Sequence, residues 1–133
     1  MNILITGGLG FIGGQFLTKI KDKNPFDQII VFDKMTYASN YSRVKGVFEK
    51  NNFLLVKGDV ANKDDVQDVF QTHKPNIIIN FAAESHVDNS IKNPDLFLEV
   101  NTKGTLNLLI EAKNLWIDQN NILKDQYKKS IFY

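Results

Sequence analysis

Glycines near the N-terminus have the spacing of a loop that holds phosphate groups. The segment TGGLGFIG at residues 6–13 fits both G-x-G-x-x-G and G-x-x-G-x-x-G. Glycine at such a turn lets the chain reverse sharply, leaves room for a phosphate beside the backbone, and allows the next helix to pack close to the preceding strand. The unpaired N–H groups at the start of that helix then attract an anion. We therefore predict a dinucleotide pyrophosphate site, with a purely local glycine turn as the alternative.

An acidic residue follows the glycine loop at the distance expected for a ribose ligand. Asp33 ends a second apolar run, about 20 residues beyond Gly13. A carboxylate there can accept hydrogen bonds from both ribose hydroxyls of an adenosine and repels a 2′-phosphate, which favours NAD over NADP. Lys34 argues in the opposite direction, because its positive charge would accommodate the 2′-phosphate of NADP. The alternative role for Asp33 is a solvated strand end or a helix cap.

Two further loops follow strands and can reach the same ligand. After the third strand, Asp59 can accept a hydrogen bond from the adenine amine while Val60 packs on the ring; the equally weighted alternative for Asp59 is a turn cap. After the fourth strand, the segment 81–90 has small residues followed by polar ones. Ligands of open α/β sheets bind at these carboxyl ends of strands. From the residues alone, the polar side chains of 81–90 are better explained as solvated or capping groups than as ligand contacts.

The elements that must position these loops alternate between strands and helices. Short apolar runs predict strands at 2–6, 28–33, 53–57 and 76–80, and residues 130–133 open a fifth. Helical periodicity or composition predicts helices at 11–21, 42–50, 63–73 and 94–119. This alternation predicts an α/β, Rossmann-like, doubly wound parallel sheet truncated after about four strands. No linker or repeat divides the chain, so we predict one domain over residues 1–133.

The helical segments also predict which side chains face the sheet. Ile12, Phe16 and Ile20 are spaced four apart and predict the apolar stripe of the first helix. The last helix carries a longer apolar side, formed by Phe97, Val100, Leu108, Ala112 and Trp116. His73, at the end of its helix, is interpreted as a packing or capping residue. Asn101 and Gly104 are interpreted as packing residues.

Composition excludes several classes of function. The 133 residues are 43% hydrophobic and 23% charged, with a net charge of +1, so nothing indicates a disordered chain or a nucleic-acid-binding surface. There is no cysteine and there are two histidines, which excludes disulfide frameworks and thiolate zinc sites and leaves too few ligands for a histidine metal cluster. No apolar run approaches the ~18 residues of a membrane span. We predict a soluble, cytoplasmic protein that binds neither nucleic acid nor membrane.

The quoted segments together resemble those of a known family. The glycine loop is similar to the cofactor loop of extended short-chain dehydrogenases/reductases that act on nucleotide sugars. The strings DKMTYASN at 33–40, AAESHVD at 82–88 and NTKGT at 101–105 narrow the resemblance to the dTDP-glucose 4,6-dehydratases. The resemblance extends over essentially the whole chain. AAESHVD is its most specific part, because epimerases and decarboxylases of the superfamily usually differ there.

The resemblance implies an NAD-dependent lyase of nucleotide-sugar metabolism. Enzymes of this family use tightly held NAD⁺ to oxidise C4 of the sugar, lose water across C5–C6 and return the hydride to C6. The product is dTDP-4-dehydro-6-deoxy-D-glucose, a precursor of deoxysugars such as rhamnose. The resemblance further implies a homodimer, with the helix from Pro94 in its interface.

The resemblance also implies roles for individual residues. The pyrophosphate would be held by Gly7, Gly10, Phe11, Ile12 and Gly13. The adenosine ribose would lie beside Asp33, Lys34 and Thr36, and the adenine between Asp59 and Val60. The nicotinamide side would be lined by Phe81, Ala82, Ala83, Ser85 and Val100. The hexose of the substrate would be faced by Ser85 and Asp88.

The catalytic groups of the family are not matched in this sequence. They comprise a Tyr-x-x-x-Lys pair and an Asp-Glu pair, which would lie beyond Tyr133. Tyr41 and Lys45 match the first spacing, but they follow the second strand on the adenosine side, so we exclude them as a catalytic pair.

We therefore predict an N-terminal portion of such an enzyme that lacks the C-terminal sugar-nucleotide domain and is inactive alone. Two alternatives stay open. One is a stand-alone NAD-binding module, acting as a redox sensor or as one subunit of a split enzyme. The other is a different nucleotide-sugar enzyme of the superfamily, such as an epimerase.

Overall fold

Five parallel strands form one sheet in the computed structural model, which describes residues 1–22, 26–37, 39–50 and 52–133, apart from the side chains of residues 89 and 90. Ala38, part of one family string, lies outside the described residues. The strands are β1 (Asn2–Thr6), β2 (Gln28–Asp33), β3 (Phe53–Lys57), β4 (Ile77–Asn80) and β5 (Ile131–Phe132). The predicted Rossmann-like α/β fold is confirmed, and the sheet has five strands rather than about four because the short β5 pairs with β4.

The strand order β3-β2-β1-β4-β5 places the N-terminal strand in the centre of the sheet. The chain moves outward from β1 to β3 and then crosses back to β4 on the other side of β1. Thr6, the last residue of β1, is in register with Phe32 on one side and Asn80 on the other. The loops after β1 and β4 therefore diverge from the same point, which is where open α/β sheets bind their ligands.

Helices cover the sheet on both faces. They are α1 (Phe11–Ile20), α2 (Tyr41–Val44), α3 (Lys63–His73), α4 (Val87–Lys92), α5 (Pro94–Phe97) and α6 (Thr105–Trp116). Short 3₁₀ turns lie at Lys45–Val47, directly after α2, and at Asp125–Tyr127, between α6 and β5. A π-helical turn, Leu98–Gly104, joins α5 to α6. None of these helices combines the length and the apolar character that crossing a bilayer requires.

The two faces of the sheet bury separate apolar layers. Leu4, on one face of β1, packs with Phe70 of α3 and Leu108 of α6. Ile3 and Ile5, on the other face, pack with Leu17 of α1. Side chains of a strand alternate between faces, so a strand that is covered on both sides must be apolar throughout. This explains the continuous apolar runs from which the strands were predicted.

The predicted stripe of α1 is partly wrong. Ile12 is 68% exposed, and the buried positions are Gly13, Gly14 and Leu17. The helix turns its glycine face toward the turn at Gly7 and Gly8 and toward Val44 of α2, because only residues without a side chain permit such a close approach. Phe16 does pack inward, with its ring 5.4 Å from that of Phe81.

The long helix predicted at 94–119 is also different in the structure. It is divided among α5, the π turn and α6, with a separate α4 before Pro94, and it ends at Trp116. The end is set by Lys124, whose backbone N–H donates to the Trp116 carbonyl and whose ammonium donates to the Leu115 carbonyl at 2.7 Å. The predicted helix at 42–50 is likewise shorter, because α2 ends at Val44 in a 3₁₀ turn.

The apolar side predicted for the last helix nevertheless faces the core. Val100, Leu108, Ala112 and Trp116 are buried, whereas Phe97, predicted on the same side, is half-buried and outside the core. The Trp116 indole N–H donates to the Pro75 carbonyl at 2.8 Å. This bond joins the end of α6 to the start of β4, so α6 is fixed along the sheet.

His73 gives the fold a defined pH dependence. Its Nδ1 lies 3.1 Å from Oε1 of Gln28, and partial burial lowers the pKa of the imidazole below its ordinary value of 6.5. Between these two pKa values the unfolded chain binds more protons than the folded chain. The stabilisation is thus fully present above pH 6.5 and is lost as the pH falls through the folded-state pKa. We expect His73→Gln to flatten this part of the curve of unfolding free energy against pH, measured by urea denaturation.

The exposed His86 provides the matched control. We expect His73→Gln to change the acid slope of the curve more than His86→Gln does, because the His73 ring packs against Gln28 whereas His86 lies at the surface. An unchanged slope in His73→Gln would show that the burial of His73 does not produce the dependence.

Candidate dinucleotide-binding site

A cleft opens at the carboxyl ends of β1 to β4. Its walls come from the glycine loop, the loops after β2 and β3, the loop after β4, and the π turn. The lining residues are Gly7, Gly10, Phe32, Asp33, Lys34, Thr36, Ser39, Gly58, Asp59, Val60, Phe81, Ala82, Ala83, Glu84 and Val100. The structure thus brings together most of the residues that the sequence placed at a cofactor, from five separate segments. Phe32, Ser39, Gly58 and Glu84 line the cleft without having been predicted, and Ser39 and Glu84 lie within the family strings.

The glycine loop fits against the loop after β4 through backbone contact. Gly7 has a φ of 63°, and a Cβ there would lie 2.6 Å from the Ala82 nitrogen. A Cβ on Gly13 would lie 2.4 Å from the Gly7 carbonyl oxygen, so α1 packs directly on the turn. Both positions therefore require glycine for steric reasons, independently of any ligand.

The start of α1 suits an anion. Gly10 is the N-cap residue in extended conformation, with φ −70° and ψ 178°, and no side-chain hydrogen bond caps this helix end. The first backbone N–H groups of an α-helix have no intrahelical partner. At this end of α1 the unpaired N–H groups coincide with the positive end of the helix dipole. Both features attract an anion.

Asp33 holds the loops around it in place. It is 6% exposed, and its carboxylate accepts hydrogen bonds from the Leu9 N–H at 2.9 Å, the Met35 N–H at 2.8 Å and the Ser39 hydroxyl at 2.8 Å. An ionised carboxylate has about four acceptor positions. Three of them are used by described residues, so Asp33 has capacity for at most one further donor, fewer than the two ribose hydroxyls that the sequence suggested.

Lys34 and Asp59, from the loops after β2 and β3, form an ion pair with Nζ 2.6 Å from Oδ2. The hydrogen bond to Asp59 raises the pKa of Lys34, with further attraction from Glu84 and Glu99, while burial acts in the opposite direction. The other Asp59 oxygen accepts from the Ala61 N–H at 2.9 Å. Asp59 is therefore a turn cap and a cleft residue at once.

The loop after β4 is fixed to the π turn by Asn101. Its side-chain oxygen accepts from the Glu84 N–H at 2.8 Å, and its amide nitrogen donates to the Glu84 carbonyl at 3.0 Å. Val100, next to it, is buried in the cleft wall. The sequence suggested only a packing role for Asn101; its position in NTKGT was the available signal.

Some predicted residues lie outside the cleft lining. Phe11 and Ile12 are 78% and 68% exposed at its edge, and Gly13 is buried behind the loop. Ser85 and Asp88 are exposed. Asp88 lines a neighbouring depression with Tyr37, His86 and Val87, in which the Tyr37 and His86 rings are 6.2 Å apart.

Tyr41 and Lys45 do not line the cleft. Tyr41 stacks on Phe48, with ring centroids 5.7 Å apart, and Lys45 begins the 3₁₀ turn. Their positions agree with their exclusion as a catalytic pair.

Comparison with known proteins places these features in context. Residues 4–127 match the family model described as GDP-mannose 4,6 dehydratase. The dTDP-glucose 4,6-dehydratase of Salmonella typhimurium is 39% identical over 116 residues, which cover 87% of this chain and 32% of that protein. The dTDP-glucose 4,6-dehydratase 1 of Escherichia coli K12 is 35% identical over 96% of this chain and 35% of its own length. The chain thus spans about a third of the length of these curated relatives.

Solved structures show the same similarity. The Bacillus anthracis dTDP-glucose 4,6-dehydratase in complex with NAD is 35% identical, with a TM-score of 0.73 over 86% of this chain and 34% of that one. The Thermus thermophilus UDP-glucose 4-epimerase in complex with NAD is 27% identical, with a TM-score of 0.74 over the same shares. The fold is therefore shared by both kinds of enzyme, whereas the sequence is more similar to the dehydratase.

The glycine packing can be tested without a ligand. We expect Gly13→Ala to lower the free energy of unfolding by about 1–3 kcal/mol, because its methyl group would overlap the Gly7 carbonyl. Gly46→Ala is the matched control, since nothing lies within 4 Å of a Cβ there. Urea denaturation measures both. Equal stability of the two variants would contradict the contact between α1 and the glycine turn.

Proposed function

Because this chain belongs to the GDP-mannose 4,6 dehydratase family, we propose that it holds the NAD⁺ of a dTDP-glucose 4,6-dehydratase, as one dinucleotide-binding domain over residues 1–133. One observation carries the proposal. The start of α1, which no side-chain hydrogen bond caps, lies at a cleft that Asp33 and Asp59 also line. The relatives named above support the choice of reaction.

The cleft suits the parts of a dinucleotide in a consistent order. The pyrophosphate would lie at Gly10, between Gly7 and the exposed Phe11 and Ile12, where N–H groups are available and no Cβ intervenes. The adenosine would extend toward Asp33, Lys34 and Thr36, with the adenine between Asp59 and Val60. The nicotinamide would lie toward the loop after β4, whose small residues and neighbouring side chains form that wall: Phe81, Ala82, Ala83, Ser85 and Val100.

The cofactor is NAD, as in the solved relatives with bound NAD. Three carboxylates border the cleft, from Asp33, Asp59 and Glu84, against the single cation Lys34 among the described lining residues. This balance disfavours a ligand with an additional phosphate. When bound, NAD⁺ supplies a hydride acceptor for the sugar carbon that is oxidised.

The sugar side of the proposal rests on exposed groups. Ser85 and Asp88 are exposed, and Asp88 lines the depression formed with Tyr37 and His86. They would donate to and accept from the hydroxyls of the hexose.

We assign no proton-transfer step to this chain. Tyr41 and Lys45 have the Tyr-x-x-x-Lys spacing but lie away from the cleft. We infer that the 133 residues alone hold the dinucleotide without completing the dehydration.

A negative charge introduced at position 10 should weaken NAD⁺ binding while the protein still folds. Asp is a favourable N-cap residue and Gly10 already has extended φ and ψ, so Gly10→Asp should preserve α1 after a shift of a few tenths of an ångström by the Gly7 carbonyl, which lies 3.2 Å from the added Cβ. Its carboxylate would repel the pyrophosphate, and we expect NAD⁺ affinity to fall at least about tenfold relative to the parent. Titration calorimetry measures the affinity, and circular dichroism verifies the fold.

Gly10→Asn is the matched control, because it has the same shape without the charge. It should bind NAD⁺ more tightly than Gly10→Asp. Two results would refute the proposal: no binding of NAD⁺ by the folded parent protein, or an affinity of Gly10→Asp equal to that of the parent protein.

We also propose a homodimer formed through the surface of α5, the π turn and α6. Large apolar side chains are exposed there: Leu96, Leu98, Leu106, Leu109 and Ile110. Such a cluster on one run of helices is typical of a protein–protein contact. A second copy of this chain is the partner that the family resemblance implies.

Sedimentation equilibrium tests the dimer. We expect twice the 15.2 kDa of one chain for the parent protein. Leu106→Glu should give the monomer mass, because Leu106 is 53% exposed within the proposed interface. Ile122→Glu, at a residue that is 62% exposed beyond α6, should remain dimeric. A monomeric parent protein would refute the interface.

A further inference from the structure

The positively charged side chain of the cleft, that of Lys34, already forms an ion pair within the chain. Lys34 is the only positively charged residue among those that line the described cleft, and its ammonium lies 2.6 Å from the Asp59 carboxylate. The Lys34 side chain is 52% exposed and the Asp59 side chain 22% exposed. The pair thus lies at the edge of the cleft, within reach of a ligand.

Asp59 is held more firmly than a surface carboxylate. Its Oδ1 accepts from the Ala61 N–H, and its own N–H donates to the Asp65 carboxylate at 2.9 Å. From the other side, the buried Asn107 amide donates to the Val60 carbonyl at 2.9 Å and the Ala61 carbonyl at 3.3 Å. The anion is therefore fixed between α3 and α6, and the flexible lysine side chain must come to it.

We propose that Asp59 determines the preference for NAD⁺ over NADP⁺ by holding Lys34 away from the 2′-phosphate position. This inference rests on the proposed function, because it concerns the dinucleotide of the same cleft. A ribose 2′-phosphate carries between one and two negative charges and needs a cation or several donors. Here it would meet an ammonium already paired and three carboxylates, from Asp33, Asp59 and Glu84.

Asp33 alone does not explain the selection. Its carboxylate is committed to Leu9, Met35 and Ser39, which fix its position whichever ligand is bound. Its negative charge acts on the 2′-phosphate, but a free ammonium next to it would offset that charge. The selection therefore depends on whether Lys34 is paired.

The decisive variant is Asp59→Asn, which retains a side-chain oxygen for the Ala61 N–H and removes the charge that holds Lys34. Any loss of an adenine contact affects both dinucleotides equally and cancels in the ratio of their dissociation constants. We expect the affinity for NADP⁺ relative to NAD⁺ to rise about tenfold, as for one charge-assisted hydrogen bond. Calorimetric titration of each folded variant with NAD⁺ and NADP⁺ measures the ratio.

Two companion variants separate the release of Lys34 from the mere loss of a negative charge. Adding Lys34→Ala to Asp59→Asn should abolish the gain, because the freed ammonium is its cause. Glu99→Gln removes a carboxylate that also attracts Lys34 but forms its ion pair with Lys103. It should leave the ratio close to that of the parent protein.

The outcomes distinguish the inference from the proposed function. If the parent protein binds neither dinucleotide, the proposed function fails. If the parent binds NAD⁺ and Asp59→Asn leaves the ratio unchanged, the inference is overturned while the function stands. A gain that persists in the double variant also overturns it. Should Asp59→Asn fail to fold, Asp59→Ser, whose hydroxyl can accept from Ala61, gives the same comparison.

Discussion

The backbone of Gly7 lies so close to that of Ala82 that no side-chain atom fits between them. This contact brings the ends of β1 and β4 together, and α1 follows it because Gly13 rests on the Gly7 carbonyl. The cleft walls are thus positioned by main-chain packing rather than by side chains. A glycine-rich loop is usually discussed for the ligand that it admits, but here it is required first by the fold.

The acidic residues of the cleft each have a structural role as well as a position at the binding site. Asp33 ties the glycine loop to the loop after β2, and Asp59 caps its own turn while it pairs with Lys34. Each carboxylate therefore has an internal partner as well as a position at the cleft. The charges needed to recognise a dinucleotide are present and ordered before it arrives, so binding does not have to organise them.

Local patterns in the sequence were sufficient for the strands and the sheet class, and the family resemblance was needed for most of the cleft residues. Apolar runs identify strands because both faces are covered, and the carboxyl ends of parallel strands meet at one edge. Tertiary contacts decided the rest. The exposure of Ile12 follows from the glycine face of α1, and the pairing of Lys34 with Asp59 joins loops that are distant in sequence. The early end of α6 depends on Lys124, whose effect no helical periodicity contains.

The π turn at Leu98–Gly104 has a consequence for the phase of the helices it joins. A π turn closes i→i+5 hydrogen bonds and so accommodates one residue more than an α-helical turn. That residue rotates everything before it by about 100° relative to everything after it. The rotation lets Val100 line the cleft and Asn101 bind the Glu84 backbone while Leu108 and Ala112 pack in the apolar layer on the sheet. Loss of a single residue from this turn would leave a regular helix of nearly the same length, yet it would point the wrong side chains at the cleft.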